Sequence, residues 1–151
     1  MTRRMLIAVL ALGGIFLAAY LTLFHYGYVG ELACGTGGCE KVQGSNWATF
    51  LGLPVALWGV GYYASVFAVA TAGAVGAGSE QRWPSVALVA LIGWGVIFSG
   101  YLTWAEVARI HAICYYCVGS AVAVMALCAL SLLDLRSYHA ACQTTYRRVP
   151  K

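Results

Sequence analysis

Long apolar runs separated by short polar breaks organise this chain. Four stretches carry no Asp, Glu, Lys or Arg: Met5–Gly30, Val42–Ser79, Trp83–Ala105 and Ile110–Leu133. A helix crossing a bilayer needs about 20 residues, so each stretch holds one crossing. The second is longer than a crossing requires, and its first part, up to about Leu53, is expected outside the membrane. The alternation of a membrane β-strand is absent, and helices satisfy their own backbone groups in lipid. The pattern therefore predicts an all-α membrane protein, a four-transmembrane-helix bundle with helices at about 5–26, 54–75, 84–105 and 112–134. These form a single domain over residues 1–151, with a partly ordered outer loop between the first two helices.

Composition and charge sharpen this picture. Hydrophobic residues make up 62% of the chain and charged residues only 9%, where a soluble domain carries about 25% charged residues. Most of the surface is expected to face lipid. With the N-terminus in the cytoplasm, Arg3, Arg4, Arg82, Arg136, Arg147, Arg148 and Lys151 fall inside. Only Lys41 and Arg109 fall outside, a positive-inside bias that puts both termini in the cytoplasm. The net charge of +4 thus reports topology rather than nucleic-acid binding. The first apolar run is too long for a typical leader core and lacks a small-x-small cleavage site, so it is expected to remain as a helix.

The six cysteines divide along the same lines. Cys34 and Cys39 lie in the first outer loop, and Cys114 and Cys117 at the outer mouth of helix four. Cys128 is expected deep in helix four as a packing residue, and Cys142 in the cytoplasmic tail as a reduced thiol. Both pairs thus face the side where disulfides persist. Between Cys34 and Cys39 stand Gly35, Thr36, Gly37 and Gly38, a flexible spacer that constrains the chain little if closed. Redox exchange is a better use of such a pair than stapling.

The CYYC pair is expected in the first turns of helix four, which should begin near His111 or Ile113. Free backbone N–H groups and the positive helix end favour a thiolate there, with Arg109 placed to assist from the turn. Cys117 would lie about 4.5 Å further along the axis than Cys114, nearer the hydrocarbon. One sulfur is set to meet a protein thiol and the other something dissolved in lipid. Glu106, at the exit of helix three, is expected to be solvated. A four-cysteine zinc site would need an organising domain that the chain lacks, so no metal is expected.

In their order along the chain, CGTGGCEKVQGSNW, FLGLPVALWGVGYY and SGYLTWAEVARIHAICYYCV resemble the vitamin K epoxide reductase family, in particular its bacterial protein-disulfide–quinone oxidoreductases. The resemblance covers nearly the whole chain. It implies an electron relay: a separate thioredoxin-like (DsbA-like) protein reduces Cys34, Cys39 passes the electrons to Cys114, and Cys117 delivers them to a quinone. Menaquinone, ubiquinone or vitamin K would serve as acceptor. Ser45, six residues after Cys39, resembles the loop serine that orders the segment near the active site.

Two positions depart from the family pattern. Val55 stands where some members place an asparagine, and Ala121 where the epoxide-reducing animal enzymes carry a tyrosine. Quinone binding would then rest on apolar packing, with Trp58, Tyr62, Tyr101 or Tyr115 contributing. The chain ends at Lys151, so no fused thioredoxin-like domain is expected. The implied protein is a monomer of a bacterial cell membrane, its four cysteines facing outward and supporting disulfide formation there. The rival readings are a DsbB-type quinone thiol oxidase, a vitamin K epoxide or quinone reductase, and a non-enzymatic four-span protein with structural disulfides. In the DsbB family the two cysteine pairs come in the opposite order.

Overall fold

The computed structural model of the protein describes residues 2–30, 32, 38–75 and 82–147, with side chains as far as residue 137. Cys34, the second half of the AGAVGAGS linker and the Cys142 side chain lie outside the described residues. Four helices are long and apolar enough to cross a membrane: α1 (Thr2–His25), α3 (Val55–Ala74), α4 (Trp83–Ala105) and α5 (Tyr115–Arg147). The protein is an all-α four-span membrane protein, as the hydrophobic pattern implies. Only the first part of α5, to Ser137, is apolar enough to span.

Helix α1 packs most extensively against α3, and α4 against α5. Their shared core holds Ile7, Val66, Leu88, Ile92 and Leu127, with the small residues Ala11 and Ala70. Lipid offers no hydrophobic drive between helices, so close approach over small residues does much of the work. Gly14 is the clearest case. A Cβ there would lie 2.4 Å from the Tyr63 ring, and the Tyr63 hydroxyl reaches Ser120 Oγ at 2.8 Å. One tyrosine thus ties α1, α3 and α5 together.

At the end of the bundle where α1 begins, a buried polar cluster closes the structure. Arg4 Nε lies 3.1 Å from Asp134 Oδ2. Arg4 Nη2 donates to Ser85 Oγ at 2.9 Å, and Ser85 Oγ donates to the same carboxylate at 2.7 Å. Arg4 also donates to the Gly73 carbonyl. A charge buried at a membrane edge is tolerable only when paired and hydrogen-bonded in this way.

The opposite, cysteine-bearing end is capped by the segment between α1 and α3. It holds the short helix α2 (Gly38–Gln43), a turn at Asn46–Ala48, and strands β1 (Thr49–Phe50) and β2 (Leu53–Pro54). The strands pair antiparallel, Thr49 with Pro54 and Phe50 with Leu53. Leu51 and Gly52 between them both have positive φ, 53° and 79°, as a twisted two-residue hairpin demands. Pro54 ends the hairpin and α3 starts at the next residue. Trp58 Nε1 then donates to the Phe50 carbonyl at 3.1 Å, which pins the hairpin to α3.

Candidate redox site

The chain between α4 and α5 sets the geometry of the CYYC pair. Helix α4 does not end cleanly but widens into a π-turn, Glu106–Ile110. His111 then turns left-handed at φ 51°, and α5 begins only at Tyr115. The expected start near His111 or Ile113 is therefore corrected by two to four residues. Cys114 is the residue before the helix, and its carbonyl accepts the N–H of Val118 at 3.0 Å. Cys117 lies within the first turn.

Both sulfurs of this pair are free thiols, whereas Cys39 is disulfide-bonded. Its partner is not among the described side chains. Cys39 and Cys114 are completely buried, at 0% exposure, and share one apolar cluster with Leu21, Leu32 and Val42. Cys117 packs at the edge of that cluster. The close approach of α2 explains this arrangement: a Cβ at Gly38 would sit 2.5 Å from the Ile113 carbonyl oxygen. Gly38 lets the start of α2 rest directly on the backbone that leads into Cys114.

The two thiols are chemically unequal. A hydrogen bond from the Cys117 side chain is the main force on Cys114, bringing its thiol down from 9.0 to about 7. Burial opposes this, the backbone N–H groups of Cys117 and Tyr116 assist, and the Glu106 carboxylate works against it. Arg109 contributes nothing. Its guanidinium lies over the rings of Trp47 and Trp104, at 6.0 and 5.6 Å from their centroids. The expected help from Arg109 is thus replaced by help from Cys117 itself, because two tryptophans hold the cation elsewhere.

Glu106 departs most from its expected place. It is only 4% exposed, one Oε accepts the Cys114 N–H at 3.3 Å, and its carboxylate also interacts with the Cys117 side chain. Helical spacing is the reason: Glu106 is still α-helical, at φ −59° and ψ −47°, and continues the inward stripe of Leu88, Ile92, Gly95, Ser99 and Leu102. That spacing is readable in the sequence, but the charge of the side chain pointed to a solvated exit.

Beneath the cysteines a cavity of about 550 Å³ opens between the helices, with Cys117 and Glu106 in its wall. That size suits a small ligand. Val55, Trp58 and Tyr62 line it, together with Trp47, Phe50 and Gly95. Ala121 does not, nor do Tyr101 and Tyr115. Tyr101 instead stacks on Trp104 at the surface, and Tyr115 borders a separate shallow hollow beside Lys41 and His111. The Trp58 N–H is already engaged by Phe50. The Tyr62 hydroxyl is buried without a hydrogen-bond partner among the described residues, pressed against Gly95, where a Cβ would come within 2.1 Å. Ser45 closes the turn after α2, its Oγ donating to the Val42 carbonyl at 2.7 Å. Cys128 packs against the main core. Among the described residues, no three His, Cys, Asp or Glu side chains gather to hold a metal.

A dithiol sharing a dry interior with a disulfide-bonded cysteine, above an apolar cavity in a four-helix span, is equipped for thiol–disulfide exchange within a membrane. The class is that of integral-membrane thiol–disulfide oxidoreductases. The model of the vitamin K epoxide reductase family matches residues 5–132, and the chain belongs to that family. Members in general exchange electrons with thioredoxin-like proteins and with quinones.

Proposed function

We propose that this protein is a quinone-dependent protein-thiol oxidase whose cysteine end faces the outside of the cell membrane. A separate thioredoxin-like protein, reduced at its own thiol pair, delivers two electrons at Cys34 and Cys39. Cys39 passes them to Cys114 by disulfide exchange, and the Cys114/Cys117 pair passes them to menaquinone, ubiquinone or vitamin K. The observation that carries this reading is the position of Cys117, at the edge of the buried cysteine cluster and in the wall of the apolar cavity. The outward orientation is supported by the distribution of basic residues.

Each residue has a distinct part. With its thiol held near neutrality, Cys114 attacks or leaves readily in exchange with Cys39. Cys117 supports that thiolate and faces the ring. Val55, Trp58 and Tyr62 enclose the quinone and keep water out, and Ser45 fixes the turn that carries α2. Arg109, set on Trp47 and Trp104, holds the π-turn in place. When Cys114 and Cys117 join as a disulfide they lose two electrons and two protons, and a quinone is an acceptor for both.

The test mixes purified protein, a reduced thioredoxin-like protein and a short-chain quinone, and follows quinone absorbance. Quinone reduction is expected, lost in Cys117→Ala. Cys39→Ala should stop the partner-driven reaction while small thiols still drive it. No reduction with any of several partners would sink the proposal, and equal partner turnover in Cys39→Ala would remove the relay.

A further inference from the structure

Glu106 is a buried carboxylate with no cation paired to it among the described residues. Among the described residues the only ion pair is Arg4 with Asp134. The nearest basic side chain in sequence, Arg109, is turned onto Trp47 and Trp104, and His111 is exposed on the same turn. What faces Glu106 instead is the dithiol: the Cys114 backbone N–H and the Cys117 side chain. An unpaired buried carboxylate costs several kcal/mol, so a merely structural cap would be better served by a neutral residue. Its place in the wall of the same cavity as Cys117 gives that cost a use.

We propose that Glu106 is the proton carrier of the CYYC pair, taking the Cys117 S–H proton on a carboxylate oxygen and passing it into the cavity. The inference rests on the function proposed above. As Cys117 reacts, its S–H bond breaks and the proton moves to Glu106, which frees the sulfur electron pair. Cys114 sulfur then bonds to Cys117 sulfur, and two electrons leave to the quinone. One proton follows from Glu106 and the second is that of the Cys114 thiol, so the pair loses two electrons and two protons in all. In a mostly apolar cavity Glu106 is the one carboxylate in the wall among the described residues, so it is the base placed to do this service.

The decisive substitution is Glu106→Gln, which keeps an oxygen for the Cys114 N–H but cannot take a proton. The first readout needs no quinone. In a Cys114→Ala background, Cys117 is alkylated with a lipid-soluble maleimide, with and without Glu106→Gln. A proton carrier predicts that alkylation slows about 10²-fold, the low end of general-base effects. A carboxylate that only caps the turn predicts an unchanged rate, and one that only repels the thiolate predicts a faster one; either result overturns the proposal. Glu106→Asp should restore part of the rate, and if the glutamine variant does not fold, an aspartate variant as fast as the parent overturns the proposal instead. The second readout is quinone reduction by the otherwise unaltered protein, expected to fall by a similar factor in Glu106→Gln. If the parent reduces no quinone, the proposed function fails; if parent and variant reduce it equally, only the role of Glu106 fails.

Discussion

Removing the Cys117 side chain should undo the acidity of Cys114, and the size of the change follows from the site. The Cys117 hydrogen bond is the largest of the forces that bring Cys114 from 9.0 to about 7. At pH 7 a thiol with that midpoint is about half thiolate, whereas one at 9 is about 1% thiolate, roughly a fifty-fold difference. In Cys117→Ala burial and the Glu106 carboxylate still push upward, opposed only by two backbone N–H groups. The midpoint is therefore expected to climb toward 9. Cys117→Ser retains an O–H donor and should keep most of the depression. A rate is the wrong measurement, because a thiolate of higher pKa is more nucleophilic. With a Brønsted slope of about 0.45, two units of pKa restore nearly ten-fold, leaving a net slowing of only about five-fold. The assay is a pH titration of the Cβ chemical shift of isotope-labelled Cys114, which needs no reagent to reach a fully buried sulfur. The parent should titrate near 7, so its thiolate is present above that pH and lost below it. A midpoint in Cys117→Ala within a few tenths of the parent would refute the reasoning and assign the acidity to the backbone N–H groups.

Two further substitutions probe the scaffold. Asp134→Ala leaves the buried Arg4 without its carboxylate and should destabilise the protein by about 3 kcal/mol, read as a lower unfolding midpoint in detergent; an unchanged midpoint would mean that the Ser85 and Gly73 bonds suffice. Tyr62→Phe removes a buried hydroxyl that has no partner and should raise the thermal midpoint of the ligand-free protein by an amount equivalent to about 1 kcal/mol; a lower midpoint would show that the hydroxyl is satisfied.

The four apolar helices were legible because a bilayer imposes a length and a composition on anything that crosses it. Met5–Gly30 and Trp83–Ala105 announce helices α1 and α4 without any knowledge of their neighbours. The family was legible from the cysteine spacings for a related reason: exchange between two pairs requires sulfurs at set intervals along the chain.

Side-chain direction around an irregular turn was not legible. Their charges placed Glu106 at a solvated helix exit and Arg109 beside the cysteines, but Glu106 continues the buried stripe of α4 and Arg109 lies over Trp47 and Trp104. One extra residue in a turn moves every later side chain to a new face, and its presence depends on what the turn packs against. The same applies to Tyr62 and Ala121, both apolar-helix positions one might place near a ring. Only Tyr62 reaches the cavity, because Gly95 on a different helix leaves room for its hydroxyl. The sequence by itself determined how many times the chain crosses the membrane and which family it belongs to. Tertiary structure decided which groups touch those sulfurs, because a buried carboxylate or thiol answers to neighbours that are distant along the chain.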